Sequence, residues 1–163
     1  MYNIKYKKFC LRGFAMNRKT ARENAFMLLF EKGIKTDETF EEIFTKATEE
    51  RELEVDDYVR EVFFGNAENE RIIDMKIDEC LVGWKKERVS YVAKAVLKLA
   101  TYELMFKEDI PAKVSINEAI ELSKKFDGEK ARGFVNGILN AVKNDLVEGA
   151  PGKCDGDDKP DTP

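Results

Sequence analysis

Histidine is absent from the 163 residues, which excludes every triad with an imidazole base, every zinc site with imidazole ligands and any switch titrating near neutrality. Cysteine is scarce. Cys10, Cys80 and Cys154 are odd in number and far apart, so they form neither a disulfide framework nor a metal cluster, and a reducing compartment is expected. There is no run of about 18 apolar residues to span a bilayer. The opening MYNIKYKKFCLRGFAMNRKT has no apolar segment long enough for a signal peptide, so a cytoplasmic protein with no membrane-spanning segment is expected. Phosphate cradles and nucleophile elbows of the forms G-x-x-x-x-G-K-[ST], G-x-G-x-x-G and G-x-S-x-G are also missing. Acidic pairs such as Glu41 with Glu42 and Asp56 with Asp57 are adjacent and so do not share a helix face. No catalytic residue, metal or cofactor is expected.

What is present is a soluble helical composition, 43% hydrophobic and 37% charged, with only 4 prolines and 10 glycines. A chain of this length forms one domain and buries roughly 70% of its unfolded surface without a metal or disulfide. The net charge of -4 hides a segregation. Residues 1–22 carry 7 basic side chains and no acid, whereas residues 37–79 carry 16 acidic and 5 basic ones. The basic end calls for an anionic partner, either a nucleic acid or a membrane surface.

Periodicity divides the chain into a basic extension over 1–15, a folded domain over 16–147 and an acidic, Gly/Pro/Asp-rich disordered tail over 148–163. Ala21, Ala25, Leu28 and Leu29 mark a first helix, with Gly33 as a left-handed stop. A second helix is expected over about Thr39–Glu50 with Asp37 as a cap. Val55–Trp84 reads as one long helix or two, weakened by Gly65 and the polar run after it. The most apolar segment, from Val89 to Phe106, is the expected centre of the core. Ser115 and Glu118 make an S-x-x-E capping box for a helix that Gly128 stops, and a last helix carries Phe134, Val135, Ile138, Leu139, Val142 and Leu146. No segment sustains a period of two, so the fold class is all-α, a bundle of about six or seven helices.

Arg18, Lys19 and Arg22 lie where the chain enters the first helix, and Arg18 and Arg22 share a face. They can meet phosphates beside free backbone N–H groups, or simply be solvated. Trp84, Tyr102, Phe126 and Phe134 have helical spacing that suits a core. Phe134 differs because Lys130, Arg132 and Gly133 stand beside it, a combination able to stack a base and hold its phosphate. Asn136 and Gly137 read as a site of close helix packing with a buried amide hydrogen bond.

The order of segments resembles the transcription antitermination factor NusB family. The pieces that carry the likeness are R-K-T-A-R-E-N-A from Arg18, A-V-L-K-L-A-T-Y-E-L from Ala95, P-A-K-V-S-I-N-E-A-I-E-L-S-K-K-F from Pro111 and G-F-V-N-G-I-L from Gly133. The resemblance implies two packed three-helix subdomains and a non-enzymatic adaptor. Such an adaptor binds boxA RNA of nascent ribosomal transcripts with ribosomal protein NusE, and reaches the RNA polymerase elongation complex through other Nus factors. It implies RNA contacts at Arg18, Lys19, Arg22, Lys130, Arg132 and Phe134, with Thr20 where another basic residue is common. Phe30 and Ala93 fall on the NusE-facing side, Ala93 standing where the family generally has an acid. Competing readings are the RNA-recognition module of a ribosomal RNA cytosine methyltransferase and a purely protein-binding helical adaptor. A homodimer is open under each.

Overall fold

The computed structural model describes residues 16–148. Those residues form α1 (Arg18–Ile34), α2 (Phe40–Thr45), α3 (Asp57–Glu68), α4 (Glu70–Cys80), α5 (Tyr91–Phe106), α6 (Ala112–Asp127) and α7 (Glu129–Glu148). A π-helical turn extends α2, and a single 3-10 turn, Lys86–Arg88, precedes α5. The expected extension, the tail beyond Glu148, Cys10 and Cys154 lie outside the described residues.

α5 is the axis of the fold because it is apolar on most of its circumference. Ala95, Val96, Leu97, Leu99 and Ala100 are all buried, and the helix packs against α1, α3, α4, α6 and α7. α1 and α3, which carry α2 between them, and α4, α6 and α7 therefore all meet around α5. Contacts between Arg22 and Glu103 and between Gly33 and Tyr91 show that α1 runs antiparallel to α5.

Local chemistry sets the helix ends, in several places differently from expectation. Thr39, rather than Asp37, caps α2: its hydroxyl accepts from Glu42 N–H, and the Glu42 carboxylate accepts in return from Thr39 N–H. Gly33 is not a left-handed stop. α1 runs through it to Ile34, and the positive-φ glycines among the described residues are Gly83 and Gly128. Gly128 ends α6 at φ 84° as expected and lets α7 begin at once. Ser115 and Glu118 form no capping box, because Pro111 already starts α6 and Ser115 lies buried inside its first turn. The segment after Val55 is two helices that meet at Asn69, whose side-chain amide donates to the carbonyl of Gly65.

Gly65 sits inside α3 for reasons of space. A Cβ there would lie 2.4 Å from the ring of Tyr102 on α5, so the missing side chain is what lets α3 and α5 approach. At Gly137 the opposite holds. Asn136 and Gly137 are exposed, a Cβ on Gly137 would meet nothing within 4 Å, and the amide of Asn140 bonds to Asn136 on the surface. The expected close packing at that pair is absent. Trp84 and Phe126, expected inside, are 44% and 37% exposed, whereas Tyr102 is buried.

Candidate nucleic-acid interface

Two basic regions flank α6. The first is the entry to α1. Asn17 caps the helix by accepting from the N–H of Lys19, so one of the donors otherwise open to an anion is used internally. Arg18 and Lys19 are exposed and have no carboxylate within ion-pair distance among the described residues. The guanidinium carbon of Arg18 lies over the ring of Tyr58, 4.4 Å from its centroid, a cation–π contact that uses no N–H donor. Arg18 and Lys19 line a cleft of about 420 Å³ with Pro111, Val114 and Glu118 at the start of α6.

Arg22 departs from the expected arrangement. It shares a helix face with Arg18, but that face turns inward one turn later, and Arg22 is only 4% exposed. Its Nε donates to Glu103 Oε1 at 2.8 Å, and the Tyr58 hydroxyl donates to the same oxygen. Glu118 adds a weaker contact at 3.7 Å. Burial opposes the Arg22 charge, yet the hydrogen bond and charge of Glu103 overcome this and raise its pKa. Burial likewise raises the pKa of Tyr58, reinforced by the Glu103 charge. The guanidinium of Arg22 is therefore tied to Glu103 and Tyr58, and the residue borders the cleft of Arg18 and Lys19 from below.

The second region lies at the far end of α6, where the starts of α5 and α7 meet the 81–90 segment. Phe134, in the second turn of α7, packs edge-on against Trp84, with centroids 4.8 Å apart and planes at 74°. Together with Lys85, Arg88, Lys130 and Ala93 they line a cleft of about 510 Å³. Lys130 belongs to this cleft as expected. Arg132 lies on the neighbouring turn, does not line the cleft, and is held by Glu129 at 3.2 Å. That hydrogen bond, with the charge of Lys124, lowers the pKa of Glu129.

Ala93 is buried at 2% exposure and lines the same cleft as Phe134, so positions expected to face different partners adjoin here. Phe30 is half-buried near the other end of α1, 6.0 Å from Phe26 between ring centroids. Composition and spacing missed Trp84, Lys85 and Arg88 as members of this surface. The signal was present in the run G-W-K-K-E-R, whose cations interrupt an otherwise helical aromatic spacing. Tyr58 was missed too, and only its tertiary position under Arg18 distinguishes it from other core tyrosines.

The basic regions lie towards opposite ends of α6, whose 16 residues span about 24 Å. One nucleic-acid strand must run several nucleotides to touch both. Among the described residues no His/Cys/Asp/Glu cluster could hold a metal, and no helix is long and apolar enough to cross a membrane.

Comparison with known proteins places this arrangement. The NusB family profile matches residues 19–144. A transcription antitermination protein NusB of Bacillus pumilus is 44% identical over 133 residues, covering 82% of this chain and 99% of the relative. A T. maritima NusB structure superposes with a TM-score of 0.70 at 36% identity, covering 80% of this chain and 93% of that one. A crystal structure of antitermination factors NusB and NusE in complex with dsRNA is also similar, with a TM-score of 0.68 and 29% identity over 78% of this chain and 96% of that one. Profile, relatives and fold agree over the whole helical domain, and the chain belongs to the NusB family of transcription antitermination proteins.

Proposed function

We propose that this chain is a non-catalytic cytoplasmic adaptor that grips an unpaired boxA RNA segment of nascent ribosomal transcripts together with NusE, and reaches elongating RNA polymerase through other Nus factors. The observation that carries the reading is the pair of exposed cations Arg18 and Lys19 at the entry of α1, without an ion-pair partner among the described residues, on a family scaffold with a solved relative that consists of NusB and NusE in complex with dsRNA. Family membership supports a binding role, and the basic surface supports an anionic ligand.

The site assignment differs from the one spacing implied. Arg18, Lys19, Lys130 and Phe134 are the direct RNA contacts, Arg132 reaches RNA once it leaves Glu129, and Arg22 acts from the interior. Phe30 and the surface around Ala93 serve NusE. A homodimer that covers the basic surface competes with RNA, which sedimentation with and without RNA reports.

The test is a titration of labelled single-stranded boxA RNA at two ionic strengths, with and without NusE. Each phosphate contact on a single strand contributes about 0.7 to the salt slope, so Arg18→Ala with Lys19→Ala lowers affinity and reduces the slope by up to about 1.4. Helicity stays unchanged, since neither side chain is buried. Binding that ignores the double substitution at every salt places the RNA surface elsewhere. No binding at low salt with NusE present ends the RNA reading altogether.

A further inference from the structure

We propose that the basic segment of residues 1–15 docks on the acidic face carried by Glu49, Glu50, Glu52 and Glu54, so that the chain itself supplies the anionic partner of its basic end. The contact is intramolecular and is tested without RNA, so it stands or falls apart from the RNA reading.

The face lies where the π-helical turn after α2 opens into the run that leads to α3. Glu52, at a φ of 53°, turns the chain out of the helix, and residues 52–56 then cross the surface outside any helix or strand. Leu53 and Val55 are half-buried against the core, while Glu52 and Glu54, which alternate with them, are exposed, as are Glu49 and Glu50. The cations that stand among these acids are committed elsewhere, Lys46 to Glu38 and Arg51 to Glu31. Among the described residues, Glu49, Glu50, Glu52 and Glu54 therefore have no cation within ion-pair distance. α3 and α4 are compensated differently. Glu61 is paired with Lys107, Glu70 and Asp74 share Lys98, and Glu79 is paired with Lys76. Four like charges left uncompensated on one short stretch repel each other, and a cationic cover relieves that repulsion.

Charge and position together identify the cover. Residues 1–15 carry Lys5, Lys7, Lys8 and Arg12 and no acid, a charge equal and opposite to that of the four glutamates. The structure also shows where this segment joins the described chain. The side-chain amide of Asn24 donates to the sulfur of Met16 at 3.6 Å and to the carbonyl of Glu54 at 2.8 Å, so the chain arrives at α1 beside the acidic run. At about 3.3–3.6 Å per extended residue, Arg12 stays within about 14 Å of Met16 and Lys8 within about 29 Å, which brings the cations into range of these carboxylates. The tether decides the occupant. Exposed ion pairs are individually weak, and a separate basic peptide or a second copy of the chain would lose translational and rotational freedom on binding. A segment already joined to the face meets it at an effective concentration of the order of mM, so the same weak pairs suffice.

The test treats the full chain, free of RNA, with a zero-length carbodiimide that joins amines to carboxylates in contact, followed by peptide mapping. Docking predicts that Lys5, Lys7 or Lys8 is joined to Glu49, Glu50, Glu52 or Glu54 within single chains, in a yield that does not change with protein concentration. A variant with all four glutamates replaced, Glu49→Gln, Glu50→Gln, Glu52→Gln and Glu54→Gln, keeps its helicity because these side chains are exposed. In that variant trypsin cuts after Lys7 and Lys8 about threefold to tenfold faster than in the parent at low salt. The difference closes at about 1 M salt, where the Debye length falls to about 3 Å. Equal cleavage rates of the two proteins at low salt overturn the proposal. So do links from the segment that fall as often on the acids of α4 and α6 as on the four glutamates. Links found only between chains also overturn it and assign the face to a second copy.

Discussion

The buried pair of Arg22 and Glu103 allows the sharpest test of how this protein divides its basic residues between stability and binding. Both side chains are almost wholly enclosed, at 4% and 1% exposure, and the 2.8 Å bond between them is joined on the same oxygen by the Tyr58 hydroxyl. Glu103→Ala leaves a buried guanidinium and a buried hydroxyl without their acceptor. Breaking one side of such a pair costs about 3–5 kcal/mol, because the surviving charge keeps its desolvation penalty and loses the attraction that offset it. For a chain of this size, about 2–4 °C in Tm accompanies each kcal/mol, so a fall of roughly 6–20 °C is expected. Arg22→Ala falls in the same range. The double replacement Arg22→Met with Glu103→Leu removes both charges and keeps apolar volume, so it costs far less than the sum of the two single changes.

Urea denaturation of the single and double variants measures these costs, with an unchanged m value confirming that the same surface is exposed on unfolding. RNA titration of the same proteins supplies the second readout. If Arg22 acts from the interior, Arg22→Met with Glu103→Leu keeps the salt slope of the unaltered protein even where affinity falls, because it removes no phosphate contact, whereas Arg18→Ala lowers the slope by about 0.7. The reasoning is refuted if Arg22→Ala costs less than about 1 kcal/mol and lowers RNA affinity and slope as much as Arg18→Ala. Arg22 would then be an ordinary solvent-facing cation.

Gly65→Ala drives a methyl group into the Tyr102 ring and destabilises by about 1–3 kcal/mol in urea, a loss that Tyr102→Leu in the same chain partly relieves; equal stability of Gly65→Ala and the parent would show that α3 and α5 are not in close contact. Burial, with the charges of Glu61 and Glu68, pushes the Tyr102 phenol from an ordinary 10.0 up to about 12. Between pH 10 and 12 the unfolded chain therefore releases this proton while the folded one retains it, stability falls as pH rises, and Tyr102→Phe flattens that alkaline slope in urea titrations. Glu129→Gln releases Arg132 and Lys124, so RNA affinity at low salt rises several-fold and its salt dependence steepens; an unchanged titration would show that neither cation reaches RNA.

The parts of the fold legible in the sequence are those governed by local pattern. α5 declares itself because a helix enclosed on most sides must be apolar on most sides, and Gly128 declares itself because a positive φ is required where α6 turns directly into α7. Local pattern fails where two signals compete. Ser115 and Glu118 have capping-box spacing, but Pro111 sets φ for a helix start ahead of them, and the proline prevails. Gly65 correctly marks a special position near a helix break, yet its reason is Tyr102, and nothing within α3 records that contact. The surface was harder to read than the core. That Lys130 and Phe134 adjoin is legible because charge and aromatic ring stand together in sequence, whereas Trp84 and Arg88 reach the same cleft from another segment.

Arg22 shows why spacing could not separate an exposed cation from a structural one. Four residues after Arg18, it has the same composition, periodicity and charge signal, and what distinguishes the two is an acid 81 residues further along the chain. The same acid then shapes the exposed site. Glu103 holds the hydroxyl of Tyr58, which fixes the orientation of the ring, and the opposite use of that ring is as the platform for Arg18. Arg18 therefore meets solvent with its guanidinium already held over a ring, with less rotamer freedom to lose on binding a phosphate than a free surface arginine has. The interior ion pair is costly to bury, and well-packed apolar residues could replace it at little loss of stability. They could not hold the phenol by its oxygen. On this argument the buried pair supports binding by orienting the tyrosine, and loss of Glu103 reaches the RNA surface through Tyr58.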